Sequence, residues 1–332
     1  MVHMEREQLS WRDLLGQIIN DTKERQRIAR VARVRPITLW RWARGISKPT
    51  EESLCRLLRA LPPDSSQDLL TILQKDFPAL FLSVASDSQI PQEIPSAFYD
   101  RVLNARTLTP PSLYTQTLSD LILRQTIEHL DPEHRGMAVS LVRCMAPFRD
   151  GKIHSLREVC GVGTPPWSAD LGRQTVFLGA ESLCGRAVMR CHLVVIHNRQ
   201  DPCGLYPAHW VIHEQSAVAC PLLHQARIVG CLLVSCAHPY QLTEVHLAVV
   251  QRYANLLTLA FSPTEFFDLR DMELCLMPPY TAQAPYLEHF GQRVTRKLTQ
   301  TVATARSITL REAHEQVWQE IEADLLENQT EI

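Results

Sequence analysis

The 332-residue sequence predicts a multidomain fold. An all-α N-terminal domain covers 1–62, an α+β domain with an antiparallel sheet and flanking helices covers 112–262, and a helical C-terminal extension covers 263–332. Three observations carry this reading. Apolar residues recur at helical spacing up to residue 61, strand-length apolar runs follow between 138 and 236, and helical spacing then returns. Prolines 62, 63, 78, 91, 95, 110 and 111 crowd the first interval, which marks 63–111 as a partly helical linker. Charge is divided unevenly. Residues 1–60 hold 13 Lys and Arg against 7 Asp and Glu, a net of +6, and the remainder holds 21 against 29, a net of −8.

The elements follow in order. Trp11, Leu14, Leu15, Ile18 and Ile19 form the apolar stripe of a first helix, and Ile28, Ala29 and Ala32 that of a second. Pro36 suits the first turn of a third helix carrying Leu39 and Trp42, which Gly45 stops and Pro49 keeps from resuming. Thr50, Ser53, Leu54, Leu57 and Leu58 begin a fourth helix, and the linker holds one more, over about 67–75. A long amphipathic helix runs from 112 to 130. Strands are predicted at 138–145, 152–159, 193–196, 217–220 and 228–236, with hairpin turns at Asp150-Gly151 and near His224–Arg227. Thr243 caps a helix reaching Leu259. Helices at about 285–304 and 309–328 close the chain, the last opened by the capping box Thr309-Leu-Arg-Glu312.

Hydrophobic residues at 45% and charged residues at 21% are ordinary for a packed protein and exclude disorder throughout. The near-zero total charge hides a basic end on an acidic body. Between Lys23 and Lys48 nine basic residues face a single acid, Glu24, a distribution that suits a polyanionic partner. The same charges also fit a solvated helix face.

Ile28, Ala32, Val34, Leu39 and Trp42 take interior positions in Gln26–Gly45, and Ala29 is the small residue where two short helices cross. Arg35, Pro36, Thr38, Trp40 and Arg41 are left on the outer side of the second of them. The segment from about Leu14 to Leu61 resembles the lambda-repressor-like (XRE-type) helix-turn-helix family, most closely over Thr38–Leu54. The glycine usual in that family's inter-helix turn is Arg33 here. The resemblance implies double-stranded DNA as partner. Arg35, Thr38, Trp40 and Arg41 would face bases, and Arg25, Arg27, Arg44 and Lys48 would contact phosphates. It also implies a homodimer on two half-sites. Trp42 is expected in the core.

Residues 112–262 resemble a GAF domain. Phe177–Val188, Ser216–Val234 and Leu242–Ala260 carry the likeness as the segment before a short helix, the final hairpin and the closing helix. The resemblance implies a small-molecule or redox signal bound between the sheet and the covering segments at roughly 160–220. Cys184, Cys191, Cys203, Tyr206, Trp210 and Cys220 are the candidate ligand-binding residues, and the ligand's identity and any cofactor are unknown. Taken together, the two resemblances imply a transcriptional regulator whose sensor domain controls dimer geometry. The alternative is a GAF-based protein–protein signalling module that uses the helix-turn-helix for partners.

Some GAF domains reduce free methionine sulfoxide with cysteines, but no such signature is recognised here, so no enzymatic activity is expected. The ten cysteines form no CxxC pair and fall mostly in apolar runs, which reads as core rather than zinc chemistry. His209 and His213 have the i, i+4 spacing of a metal pair but lack a metalloprotease helix's internal Glu, and no metal site is expected. No apolar run approaches the ~20 residues that span a bilayer. A cytoplasmic protein with reduced thiols and no membrane contact is expected.

Overall fold

The computed structural model describes residues 10–32, 34–49, 53–54, 57, 60–61, 90–171, 176–199, 213–303 and 308–327. The chain divides into two compact units, Met1–Gln89 and Ile90–Ile332.

The first unit contains α1 (Trp11–Ile18), α2 (Thr22–Val31) and α3 (Pro36–Ala43). Their ends are fixed by local chemistry. Ser10 and Asp13 form a capping box on α1, and Asp21 caps α2 by accepting from the Lys23 amide at 2.9 Å. Pro36 opens α3, whose last turn closes through Gly45 at φ +70°. There the Gly45 amide bonds the Trp42 carbonyl and the Ile46 amide bonds the Arg41 carbonyl, the two bonds of a Schellman stop. Trp11, Leu15, Ile19, Ile28, Ala29, Ala32, Leu39, Trp42, Leu54 and Leu57 are buried together, Trp42 in the core as expected, while Leu14, Ile18 and Val34 are half-buried against them. Ser53, Leu54, Leu57 and Ala60 are helical where the fourth helix was expected. Arg33 and the linker helix at 67–75 lie outside the described residues.

The second unit starts earlier than the proline pattern suggests. Residues 96–108 form α4 (Ser96–Leu108), and Ile90, Ile94, Phe98 and Val102 are buried in the unit's main core. Residues 90–111 are therefore part of this unit rather than linker. The prolines flank α4 and leave its buried i, i+4 pair, Phe98 and Val102, intact. After a 3-10 turn at Pro111–Leu113 comes α5 (Tyr114–Leu130).

The remaining elements are β1 (Met137–Cys144), β2 (Leu156–Gly163), β3 (Phe177–Leu178), α6 (Leu183–Arg190), β4 (Val194–Ile196), β5 (Ser216–His224), β6 (Arg227–Cys236), α7 (Glu244–Leu257), β7 (Phe267–Asp268), α8 (Tyr280–Glu288), α9 (Phe290–Ala303) and α10 (Leu310–Glu327). Among the described residues the strands form one antiparallel sheet in the order β3-β2-β1-β6-β5-β4, with β7 added to the start of β6. β2 is shifted from the expected 152–159. Residues 153–154 instead bond to the chain at 271–275, while Gly161 and Gly163 prolong the strand past its expected end. A Cβ at Gly161 would lie 2.5 Å from Ser140 Oγ, so any side chain there must displace that hydroxyl.

The β5–β6 hairpin turns through Gln225 and Ala226, at φ 49° and 60°. This is the two-residue turn with both central residues left-handed that antiparallel twist favours, built here without glycine or asparagine.

Side chains alternate across the sheet. Val139, Leu141, Val218, Cys220, Leu232 and Val234 face α5 and α7 in the largest core, joined by Phe98, Tyr253 and Phe266. Val142, Ala217, Ala219 and Cys231 face the other way, toward α6. The region after residue 262 is integrated rather than appended. Besides β7, the chain at 272–283 lies across the α6 side of the sheet. The Ala180 amide bonds the Cys275 carbonyl, and Gln283 bonds both the amide and the carbonyl of Phe177 at 2.8 Å. Beyond it α9 and α10 pair over Met145, Phe177 and Met277, with Phe290 stacked on Trp318. Thr309 and Glu312 make the predicted capping box.

Candidate functional site

A hollow of about 370 Å³ lies on the α6 side of the sheet, within the size range of small-molecule sites. Its floor follows from sequence. The β1, β5 and β6 residues facing it are Ala138 and Ser140, Ala217, and Leu233 and Ser235, while Val139, Leu141, Val218 and Val234 beside them in sequence face the helices. Ser235 stands opposite both Ala138 and Ala217 in the register, and Ile196 of β4 stands opposite Ala217. Small side chains in one cross-strand row leave space that large ones would fill.

The walls are apolar and aromatic. Trp167, Leu171, Val176, Leu178 and Leu183 line them, His213 meets the Trp167 ring edge-on at 6.1 Å, and Tyr280, the first residue of α8, stands at the rim. Ser182 caps α6 at the border, accepting from the Gly185 amide at 2.9 Å.

Two carboxylates face this space. Glu214 is buried, and its Oε1 accepts from Ser235 Oγ at 2.7 Å. Glu158 of β2 is half-buried and lines the cavity. Burial pushes its carboxyl up to about 7; a hydrogen bond from Ser140 works against this rise and repulsion from Glu214 adds to it.

The expected ligand-binding residues divide. Cys184 lines the cavity. Cys220 does not, because strand alternation turns it into the helix-facing core, where burial pushes its thiol up to about 12. Cys191 caps the end of α6 in a left-handed conformation, outside the lining. Cys203, Tyr206 and Trp210 lie outside the described residues. Glu158, Glu214, Ser140, Ser235, Trp167 and Tyr280 were not singled out from the sequence, and His213 was weighed only as half of a metal-spaced pair. Among the described residues no group of three or more His, Cys, Asp or Glu is placed to hold a metal ion.

In the first unit, Arg35 just before α3, Arg41 on it and Arg44 and Lys48 after it are exposed, and Thr38 and Trp40 are half-buried. The Arg44 guanidinium lies 4.1 Å over the Trp40 ring. Arg25 shares a shallow groove with Trp40 and Arg44. Arg27 is already engaged, by Glu24 and by the Ala60 carbonyl at 2.8 Å.

An antiparallel sheet with helices on one face and a ligand-sized hollow on the other defines a small-molecule-binding α+β module. Residues 116–262 match the family model described as GAF domain, and this part of the chain is a GAF domain, a sensing and signalling module. No curated protein matches the sequence. Among solved structures, the chain is similar to a type II free methionine-R-sulfoxide reductase from Thermoplasma acidophilum, at 17% identity and TM-score 0.34 over 48% of this chain and 99% of that one. It is also similar to the GAF domain of an Acinetobacter phosphoenolpyruvate-protein phosphotransferase, at 15% identity and TM-score 0.32 over 50% and 93%. A third is the free methionine-R-sulfoxide reductase from Neisseria meningitidis in complex with its substrate, at 17% identity and TM-score 0.27 over 46% and 89%. At these identities none assigns a role to a residue of this chain. Among the described residues no helix is long and apolar enough to cross a membrane.

Proposed function

We propose that the chain is a ligand-responsive transcriptional regulator. The hollow of the GAF domain takes a small molecule, and the N-terminal unit docks on double-stranded DNA. The observation that carries the reading is the cavity itself, a preformed apolar space with a few convergent polar groups. DNA as the output rests on the exposed Arg35, Arg41, Arg44 and Lys48 and on the net charge of +6 over residues 1–60. Two copies on paired half-sites follow from the small contact area of one such unit, and sedimentation velocity reads that stoichiometry.

The test of the DNA arm is retention of a random duplex over a salt series. About four neutralised phosphates give a slope of log K against log salt near about −3.6. Arg44→Ala lowers that slope by about one, and Arg41→Ala weakens retention through the lost groove contact. Unchanged retention in both variants removes DNA from the proposal and favours a protein partner. Native mass spectrometry of the purified chain reads ligand and oligomer together.

A thiol reductase is the less supported reading. Cys184 borders the cavity and hydrogen-bonds with Cys231, but burial raises the Cys231 thiol well above its ordinary range, which leaves it protonated and a poor nucleophile. Thiol-dependent turnover of free methionine sulfoxide that Cys184→Ser abolishes would establish that reading instead.

A further inference from the structure

The polar groups of the cavity are bound to the protein itself. Ser140 donates to Glu158, and Ser235 Oγ donates to Glu214 Oε1 at 2.7 Å. Glu214 has at least one further interaction besides. Ser182 Oγ donates to the Gly179 carbonyl at 2.7 Å and accepts from the Gly185 amide at 2.9 Å. Ser168 Oγ accepts from the Asp170 amide at 3.3 Å. A ligand head that engages one of these groups must first break a bond already made, so the exchange returns little. An anionic head meets two carboxylates. A cationic head must leave its own water, and it meets in Glu158 a carboxyl that, pushed up to about 7, is about half protonated at neutral pH.

What the hollow offers without any such exchange is apolar surface. Trp167, Leu171, Val176, Leu178 and Leu183 form its walls. Ala138, Ser235 and Ala217 stand in one cross-strand row, a floor of small side chains that suits a flat body. An apolar cavity of about 150 Å³ holds one benzene ring, so the space of about 370 Å³ accommodates a body of two rings. We infer that the cavity selects an uncharged ligand with a flat apolar body of about two fused rings, held by contact with Trp167 and the aliphatic wall rather than by a charged anchor. The inference rests on the cavity being the sensor's ligand site and adds the class of ligand. Selectivity comes from exclusion: a charged analogue of the same shape gives up its hydration and finds lining groups that are already paired.

The experiment uses three probes of similar size and different charge: 2-naphthalenemethanol, 2-naphthylmethylamine and 2-naphthoate. Each is titrated calorimetrically into the full chain at neutral pH. The expected result is saturable binding of the alcohol at least about tenfold tighter than either ion, about 1.4 kcal/mol, with the negative heat-capacity change of apolar burial. This charge series is read on the parent chain and needs no variant. Ala217→Leu and the smaller step Ala217→Val fill the floor and weaken the alcohol by about tenfold or more, and a melting temperature like the parent's shows that each is folded. Glu158→Gln narrows the gap between the alcohol and naphthoate. Binding of the amine or of naphthoate as tight as that of the alcohol overturns the inference and leaves the cavity as a ligand site. A Glu158→Gln variant that loses about tenfold in affinity for the alcohol also overturns it, because a polar anchor then carries recognition. So does the absence of saturable binding of the alcohol, while native mass spectrometry of the purified chain still tests the sensor reading on its own.

Discussion

Glu322 shows how a single buried side chain writes a pH dependence into the second unit. It is fully buried in α10; Oε1 accepts from Ser155 Oγ at 2.6 Å, and Oε2 has no hydrogen-bond partner among the described residues. Burial pushes its carboxyl up to about 7, against the hydrogen bond from Ser155 and the pull of His154 and Arg157. A carboxyl whose folded pKa lies above its unfolded value holds an extra proton when folded. Its contribution is therefore complete at low pH and is lost as pH rises through about 7. Between about pH 5 and pH 8 this group costs up to about 3 kcal/mol, and Glu322→Gln removes that slope. Denaturant midpoints at the two pH values check it; a Gln variant with the slope of the parent would refute this account.

His129 acts in the opposite direction. Burial lowers its pKa, against the hydrogen bond to the Pro91 carbonyl at 2.7 Å, and its other ring nitrogen meets the Tyr253 hydroxyl at 2.9 Å. The unfolded chain then binds the extra proton, so stability falls as pH drops below about 6.5. His129→Gln flattens that acid limb.

At the scale of elements, two turns invite tests. Gln225 and Ala226 hold left-handed conformations that cost L-residues roughly 1–2 kcal/mol each. Ala226→Gly is expected to stabilise the second unit by about 1 kcal/mol, read as a higher melting temperature without change in the cavity. Gly179 has the opposite sensitivity. A Cβ there would lie 2.0 Å from the Cys275 carbonyl, where the chain at 272–283 crosses the sheet. Gly179→Ala displaces that crossing at a cost of about 1–3 kcal/mol, and faster proteolysis after residue 262 reports it.

Elements were the most legible part of the sequence, because periodicity and caps are local. The Thr309–Glu312 box, the Gly45 stop and the interior of the first unit are where spacing put them. β2 was misplaced by several residues because its start is set by bonds to residues more than 100 positions away. The cavity was half legible. Alternation of small and large residues at 138–141 and 217–220 marks its floor, but attention to cysteines passed over it. Nothing in their sequence spacing links Glu158 and Glu214, which only the fold brings to one hollow.

For the whole molecule, the GAF match at 116–262 is smaller than what folds. Ile90, Phe98 and Val102 before it, and Phe266 after it, are buried in the main core, and β7 pairs with β6. A fragment of residues 116–262 is expected to expose this surface and bind a hydrophobic dye. Residues 90–327 are expected to unfold in one cooperative step with or without the first unit, which has a core of its own. A cooperative, dye-silent 116–262 fragment would contradict this.

The floor of the hollow has a consequence for how this protein can change. Ala138, Ser140, Ala217 and Ser235 touch the space on one side of the sheet, and their sequence neighbours hold the helices on the other. A methyl group added or removed on this row resizes the chamber while the structural core behind it stays as it was. The sheet thus works as a ruler with movable marks, and single-residue steps can change the volume of the hollow without disturbing the helix-facing core.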